Sequence, residues 1–274
     1  MTQADRDAAY NNAAAVADSA TLNGARIAAS LSYRNRPGTI LDLKYGSGAR
    51  QAWDLFPAAD PGAPCLVFIH GGYWQMNRRE DFAILAEGLV SLGWSVAMPG
   101  YSLAPEARLA EIAIEIRRAL DWLADDGHKH GIAGPILLSG WSAGAHLAAL
   151  ALDHPAVAAG LALAGIYELA PLRETYLNAK LNLSDAEIAR LSPIRLPAIN
   201  KPLVIAYGTD ELPALIAQSR NFAAYRDNLR APTTLIPVEG ANHFTLLDTL
   251  RRADGVLARH ACSLMVSRAS SDDD

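Results

Sequence analysis

The sequence predicts an α/β fold with a mostly parallel central sheet and helices on both faces. Three observations lead to this prediction. Several short runs in the 274 residues are continuously apolar, which is typical of strands that are covered on both faces. Helical patterns separate most of these runs, and strands that alternate with helices favour parallel pairing. Apolar residues make up 51% of the chain and charged residues 19%, so a large core can be buried.

The predicted elements follow in a regular order along one domain. Residues 1–36 form an alanine-rich helical arm that ends at Arg36-Pro37-Gly38. The main domain covers residues 37–266. Strands are predicted at residues 39–44, 52–55, 65–69, 94–98, 136–138, 160–164, 203–207 and 233–237. The clearest helix begins at Pro105, a favourable first-turn residue. Its apolar residues recur at helical spacing and form one stripe: Leu109, Ile112, Ile116, Leu120 and Leu123.

Two segments depart from this alternation. Residues 168–196 are polar, contain the helix-start pattern Asn182-Leu183-Ser184-Asp185 and close at Ser192-Pro193. We interpret them as an insertion over the edge of the sheet and a candidate lid. Residues 267–274 are small and acidic, and we expect them to form a disordered tail.

Composition excludes several classes of function. The net charge is −5 and no basic cluster occurs, so nucleic acid and anionic membranes are not expected partners. Cys65 and Cys262 are too few for a disulfide framework or a zinc site. Residues 1–10 lack a secretion-signal pattern, and no apolar run approaches the roughly 18 residues that span a bilayer. We therefore expect a cytoplasmic protein.

A serine motif follows the predicted strand at 136–138. Gly140-Trp141-Ser142-Ala143-Gly144 matches Gly-x-Ser-x-Gly, and a helical pattern begins directly after it. A strand, a sharp turn and a helix in this order form a nucleophile elbow, which places the serine hydroxyl at the carboxyl edge of the sheet. The alternative is an ordinary glycine-containing turn with an idle serine.

The strand at 65–69 ends in His70-Gly71-Gly72-Tyr73-Trp74. Paired glycines allow the backbone to direct N–H groups at a reacting oxygen. The N–H groups of Gly72, Tyr73 and Ala143 are the candidate oxyanion donors, and His70 is expected to fix the loop. An ordinary turn at the end of a strand is the alternative.

The candidate base and acid lie late in the chain. His243 follows the last predicted strand, in the order serine, acid, histidine. Gly208-Thr209-Asp210-Glu211 follows the preceding strand and offers two adjacent carboxylates. The spacing Gly-x-x-acid favours Glu211, and Asp210 stays open. The other histidines form no metal-binding pattern, and no phosphate loop or dinucleotide fingerprint occurs, so no metal or cofactor is expected.

Together these motifs resemble the α/β-hydrolase fold, and within it the arylformamidase (kynurenine formamidase) group. The most specific stretch is His70-Gly71-Gly72-Tyr73-Trp74-Gln75, and Tyr10-Asn11-Asn12, Leu55-Phe56-Pro57 and Tyr101-Ser102-Leu103-Ala104-Pro105 look similar too. The likeness runs from about Tyr10 to about Leu250. It implies a triad of Ser142, Glu211 and His243, with Gly72, Tyr73 and Ala143 as oxyanion donors. Animal members carry aspartate at the acid position.

The resemblance implies a serine hydrolase that cleaves a formyl or acetyl amide or ester, with a small-molecule substrate of the N-formylkynurenine type. Tyr73 is expected to narrow the acyl side, and Trp74, with the insertion, to contact an aryl leaving group. Simple packing of Trp74 under the lid is the alternative. A general carboxylesterase, a non-catalytic binding protein and a cyanohydrin lyase are the rival functions, and a homodimer stays open.

Overall fold

The computed structural model describes residues 1–269 of the chain. In this part, eight strands form one sheet in the order β1-β2-β4-β3-β5-β6-β7-β8. The strands are β1 (Ile40–Lys44), β2 (Ala52–Phe56), β3 (Cys65–Ile69), β4 (Ser95–Pro99), β5 (Ile136–Trp141), β6 (Val157–Leu163), β7 (Leu203–Gly208) and β8 (Thr233–Val238). Strands β1 and β2 are antiparallel to their neighbours, and the other pairs are parallel. The predicted fold class is confirmed.

Helices cover both faces of this sheet. They are α1 (Gln3–Ala8), α2 (Asn12–Ala15), α3 (Ser19–Arg34), α4 (Ala86–Ser91), α5 (Leu109–Asp126), α6 (Ala143–Leu150), α7 (Asn178–Leu181), α8 (Asp185–Leu191), α9 (Pro213–Asn228), α10 (Asp248–Arg251) and α11 (Val256–Ala269). Short 3-10 helices occupy Arg79–Leu85, Gly127–His130, Ala170–Glu174, Pro193–Arg195 and Thr245–Leu247. Among the described residues, no helix is long and apolar enough to cross a membrane.

Strands β2 to β7 are buried throughout because they lie between two cores, whereas the edge strands β1 and β8 are partly exposed. In β3, Val67 and Ile69 belong to the core that packs against α5, α6 and α9. Leu66 and Phe68 belong to the opposite core, under α4, α10 and α11. Side chains alternate between faces along a strand, so a continuous apolar run fits a doubly covered strand.

Helix α5 buries its predicted stripe but begins later than the sequence predicts. Leu109, rather than Pro105, is its first residue. The N–H group of Arg108 donates a hydrogen bond of 2.7 Å to the Glu111 carboxylate, as in a capping box. This cap fixes the first turn at 109, whereas Pro105 lies in the preceding loop.

The arm and the insertion both contain short helices. Residues 1–36 hold α1, α2 and α3, and residues 168–196 hold α7 and α8. Helix α8 begins within the predicted helix-start pattern at 182–185, where Ser184 caps it by accepting a hydrogen bond from the N–H group of Glu187. Helix α11 continues to Ala269, so the predicted tail at 267–274 is helical over its first residues, and residues 270–274 lie outside the described part.

Candidate active site

Ser142 lies in a strained turn between β5 and α6. Its backbone has φ 57° and ψ −118°, a conformation that non-glycine residues rarely adopt and that costs about 1–3 kcal/mol. Its N–H group donates to the Leu163 carbonyl at 2.8 Å, and its own carbonyl accepts from Ala145 and His146. These bonds hold the turn on both sides. The serine is 2% exposed.

The two motif glycines are required by the closeness of neighbouring backbone. A Cβ atom at Gly140 would lie 2.2 Å from the carbonyl oxygen of Gly144. A Cβ atom at Gly144 would lie 2.0 Å from the carbonyl oxygen of Ile69, at the end of β3. The first contact tightens the turn and the second packs it against the central strand. The geometry is that of a nucleophile elbow.

A buried acid–base pair lies beside the elbow. The Nδ1 atom of His243 is 2.8 Å from Oε2 of Glu211, and Oε1 of Glu211 accepts a hydrogen bond of 2.8 Å from the N–H group of Gly208. His243 is 3% exposed and the Glu211 side chain is fully buried. Asp210 is exposed and makes no bond to the imidazole. The structure therefore pairs Glu211, rather than Asp210, with His243.

Trp141 links the elbow to the histidine loop. Its indole Nε1–H donates to the His243 carbonyl at 2.9 Å, and the two ring centroids are 4.7 Å apart. Sequence reasoning treats Trp141 as the variable position of the serine motif and misses this role. The contact between Trp141 and the His243 loop becomes visible only where β5 packs beside the loop that follows β8.

The loop after β3 packs directly on the elbow. A Cβ atom at Gly71 would lie 2.6 Å from the Trp141 carbonyl oxygen and 3.0 Å from the Ser142 Cβ. Gly72, Tyr73 and Trp74 follow with φ values of 118°, 49° and 57°. Three successive residues with positive φ turn the backbone sharply beside Ser142. Residues other than glycine ordinarily avoid positive φ, but Tyr73 and Trp74 adopt it here.

Three backbone donors near Ser142 are unpaired. Within residues 1–269, the N–H groups of Gly72, Tyr73 and Ala143 donate to no protein acceptor. Ala143 is the first residue of α6, so its N–H group has no partner inside the helix. The candidate oxyanion donors are therefore free to bind an anionic oxygen.

His70 lies beneath this loop rather than in the cavity. Its ring stacks on Tyr101 with centroids 4.3 Å apart, and Nδ1 is 2.9 Å from the Gly71 carbonyl oxygen. Burial lowers the pKa of His70 to about 3, so the imidazole is neutral. It packs against the loop that carries the candidate donors.

A cavity of about 120 Å³ contains Ser142 and His243. Ligand cavities for drug-sized molecules measure about 300–1,000 Å³, so this one encloses a small group only. Gly72 and Tyr73 line it from the β3 loop, and Tyr176 lines it from the insertion.

The N-terminal arm supplies another wall of the cavity, which the sequence did not predict. Asn11, Asn12, Ala13 and Asn23 line it. The Tyr73 hydroxyl donates a hydrogen bond of 2.6 Å to a backbone carbonyl of the arm, that of Tyr10. The stretch Tyr10-Asn11-Asn12 carried only a family resemblance in the sequence, and no role followed from it.

Trp74 does not line this cavity. Its side chain is fully buried and meets His146 edge-on, with ring centroids 4.8 Å apart. Its carbonyl accepts a hydrogen bond of 2.8 Å from the N–H group of Ala104. The geometry favours the packing alternative over contact with a substrate.

The insertion is attached to the arm and to the β3 loop. The N–H group of Tyr176 donates to the Asp7 carboxylate at 2.7 Å, and the Gln75 side chain donates to the Leu177 carbonyl at 2.9 Å. These bonds hold the insertion at the mouth of the cavity. In the described part of the chain, no cluster of three or more His, Cys, Asp or Glu side chains is arranged to bind a metal ion.

Comparison with known proteins agrees with this architecture. Residues 55–155 match the family model BD-FAE. Kynurenine formamidase of Salmo salar is 28% identical, covering 83% of this chain and 82% of that protein. Kynurenine formamidase of Drosophila melanogaster is 29% identical, covering 81% and 80%. A solved structure from Silicibacter sp. TM1040, a protein with a proposed thioesterase activity, is 30% identical, covers 92% and 96% and has a TM-score of 0.82.

The sheet order, the strained serine after β5 and these relatives define the chain as an α/β-hydrolase. Within that fold it resembles the arylformamidase group, whose kynurenine formamidases are 27–29% identical to it over most of its length. It is a hydrolase of amide or ester bonds.

Proposed function

We propose that Ser142, His243 and Glu211 form a catalytic triad that cleaves a small acyl group from an amide or ester. The observation that carries this proposal is the buried bond of 2.8 Å between His243 and Glu211. The strained Ser142 lines the same cavity as His243. The tautomer with hydrogen on Nδ1 donates to Glu211, which leaves Nε2 to accept a proton.

In the first half of the reaction, His243 removes the proton of Ser142 as the serine Oγ attacks the acyl carbon. The bond from Oγ to carbon forms, and the carbonyl oxygen becomes an oxyanion. The free N–H groups of Gly72, Tyr73 and Ala143 are its proposed hydrogen-bond donors. Loss of one such donor typically raises a barrier by about 2.7–4 kcal/mol.

In the second half, the imidazolium of His243 protonates the leaving amine or alcohol as its bond to the acyl carbon breaks. Water then attacks the acyl-enzyme with His243 again as base, and Ser142 is regenerated. Glu211 stabilises the imidazolium in both halves. No step requires a cofactor.

The size and walls of the cavity support a small acyl group and an aryl leaving group. The cavity holds about 120 Å³, so the rest of a substrate has to extend through its mouth. Met76 and Tyr176 line the cavity and are 52% and 47% exposed. These two apolar side chains, rather than Trp74, are the proposed contact for an aryl group of the N-formylkynurenine type.

A fluorophosphonate probe and a substrate panel test the function. The probe should label Ser142, and Ser142→Ala should abolish labelling and turnover. Wild-type protein that resists the probe and hydrolyses no ester or amide would refute the proposal. A substrate panel of formamides, acetamides and esters separates a formamidase from a general carboxylesterase. Its central comparison is the hydrolysis rate of N-formylkynurenine against that of aryl acetates at matched concentration. Activity on esters alone would select the carboxylesterase.

The substrate is a small molecule, and every proposed catalytic group comes from one chain. The homodimer that the sequence leaves open is tested by light scattering on a sizing column. For the location we propose the cytoplasm, since Cys65 and Cys262 are free thiols. Cell fractionation tests this proposal.

A further inference from the structure

Tyr73 enters the proposed mechanism through its backbone N–H group, and its phenol has no part in the chemistry. The residue is 7% exposed and lines the cavity that contains Ser142 and His243. Its backbone has φ 49°, in the left-handed region that residues other than glycine rarely adopt. Such a conformation costs free energy and persists only where the surrounding structure holds it in place.

The main chain of Tyr73 makes no hydrogen bond of its own. In the part of the chain that the structure describes, neither its N–H group nor its carbonyl oxygen has a partner. The preceding carbonyl, that of Gly72, accepts from the N–H groups of Gln75 and Met76 at 2.9 and 3.1 Å. These bonds orient the Tyr73 N–H group relative to the turn, but they are local and do not attach Tyr73 to the rest of the fold.

The phenol of Tyr73 makes that attachment, and both of its partners belong to the N-terminal arm. Its hydroxyl donates a hydrogen bond of 2.6 Å to the Tyr10 carbonyl and accepts one of 3.2 Å from Nδ2 of Asn12. A phenol has one hydrogen, which Tyr10 receives, so the bond to Asn12 uses the oxygen as acceptor. The ring cannot shift along the arm without breaking one of these bonds.

The arm is itself fixed to the core at this point. Tyr10 is 6% exposed and belongs to the same buried cluster as Tyr73. Its hydroxyl lies 3.5 Å from the side-chain nitrogen of Gln218 on α9. The Gln218 side-chain oxygen accepts bonds of 2.8 Å from the N–H groups of Tyr167 and Glu168. The phenol of Tyr73 is therefore held by a packed part of the fold, not by a free segment.

We propose that the Tyr73 hydroxyl is a positioning group, held by Tyr10 and Asn12, that keeps the Tyr73 N–H group directed at the oxyanion. This inference rests on the proposed oxyanion role of that N–H group. The phenol transfers no proton and contacts no reacting atom. Its effect appears when the tetrahedral oxyanion forms, and not when the substrate binds. The N-terminal arm thereby contributes to catalysis through a contact outside the triad.

Tyr73→Phe removes the hydroxyl and keeps the ring that forms the cavity wall. For phenyl acetate, kcat/KM should fall by about tenfold to hundredfold, mostly in kcat, because a displaced donor weakens binding of the transition state alone. Tyr225→Phe is the matched control, since the Tyr225 hydroxyl also donates at 2.6 Å to a backbone carbonyl, that of Leu196, and does not line this cavity. Its kcat and KM should stay within about twofold of wild type. Equal losses in the two variants, or no loss in Tyr73→Phe, overturn the inference.

Two ketone inhibitors separate oxyanion positioning from a loss of folded protein. The Ser142 Oγ adds to the carbonyl carbon of trifluoroacetophenone, its proton passes to His243, and the carbonyl oxygen becomes an oxyanion. Acetophenone is less electrophilic and binds as the intact ketone. In Tyr73→Phe, the inhibition constant of trifluoroacetophenone should rise by about the factor that kcat/KM loses, whereas that of acetophenone should stay within about twofold. Neither constant depends on the concentration of active enzyme. Equal shifts for both ketones overturn the inference.

Asn12→Ala tests the contribution of the arm. It removes the donor to the phenol but leaves the bond to Tyr10, so kcat/KM should fall by less than in Tyr73→Phe. The double variant should lose no more than Tyr73→Phe alone, because Asn12 acts through the phenol. Additive losses contradict this role of Asn12.

The wild-type protein shows which proposal has failed. If it hydrolyses phenyl acetate and Tyr73→Phe is equally active, only the positioning role is refuted and the serine-hydrolase proposal stands. If it hydrolyses no ester or amide and resists the fluorophosphonate probe, the serine-hydrolase proposal is itself refuted, and the positioning role with it.

Discussion

His243 and Glu211 are joined by a bond of 2.8 Å between Nδ1 and Oε2, out of contact with bulk water. The second carboxylate oxygen of Glu211 is held by the N–H group of Gly208, so the acid cannot turn away from the imidazole. Asp210, the adjacent carboxylate, is exposed. Only Glu211 is placed to select the imidazole tautomer that leaves Nε2 free.

The first prediction concerns this pair. Glu211→Gln should lower kcat for p-nitrophenyl acetate by about 100-fold to 10,000-fold, because the imidazole loses its tautomer and the charge that stabilises its protonated form. Asp210→Asn should stay within about twofold of wild type, as most exposed substitutions do. Steady-state kinetics of the two variants decide the matter, and an equal loss in Asp210→Asn would contradict the assignment.

The second prediction concerns acyl length. Since the cavity holds about 120 Å³ and Tyr73 forms one wall, long acyl chains should not fit beside Ser142. The kcat/KM for p-nitrophenyl octanoate should be about tenfold or more below that for the acetate, after correction for alkaline reactivity. Similar values for the two esters would count against a narrow acyl side.

The third prediction concerns the leaving group. Tyr176→Ala should lower kcat/KM for phenyl acetate about threefold to tenfold more than for cyclohexyl acetate, because only the phenyl ring gains from an aromatic pair. Tyr176→Phe keeps the ring and should behave like wild type. An equal loss on both esters in Tyr176→Ala would show that Tyr176 does not recognise aromatic groups.

The fourth prediction concerns the stability of the elbow. Gly144→Ala puts a methyl group 2.0 Å from the Ile69 carbonyl and should cost about 1–3 kcal/mol or more of unfolding free energy. Gly24→Ala is the matched control, since Gly24 lies within α3 and has no atom within 4 Å of an added Cβ. It should stabilise the protein by about 0.5–1 kcal/mol, which urea unfolding measures. Stabilisation by both changes would refute the clash.

The fifth prediction concerns pH. Burial lowers the pKa of His70 to about 3 and that of His146 to about 4, whereas both titrate near 6.5 when unfolded. Between these values the unfolded chain binds more protons, so stability falls as the pH falls from about 6.5 towards about 4, by roughly 1 kcal/mol per pH unit for each imidazole.

His146→Gln should remove one of these contributions and flatten the dependence. Glutamine keeps a donor for the Leu191 carbonyl, which lies 2.7 Å from the Nε2 atom of His146. Unfolding in urea at several pH values gives the slope. An unchanged slope in His146→Gln, or a wild-type stability that is flat below about pH 6.5, would contradict the prediction.

The local patterns of the sequence were sufficient for the fold class. Cys65–Ile69 is apolar at every position because this central strand is covered on two faces, and this leaves a direct mark in the sequence. The glycines on either side of Ser142 also allowed the elbow to be predicted from the sequence. Only glycine fits at these positions, because an added Cβ atom would lie as close as 2.0 Å to neighbouring backbone. The start of α5 was misplaced because a side-chain cap at Arg108 and Glu111, rather than Pro105, begins the helix.

The sequence by itself determined where the strands lie along the chain, the serine elbow and the candidate base His243, because these depend on neighbouring residues. Only the tertiary structure decided which carboxylate meets the imidazole, that Trp74 is buried, and that an arm at the start of the chain forms a wall of the cavity. These outcomes depend on contacts between residues as distant as Tyr10 and Tyr73, or Trp141 and His243. Contacts between residues that are far apart in the chain are properties of the folded packing, and local sequence carries no record of them.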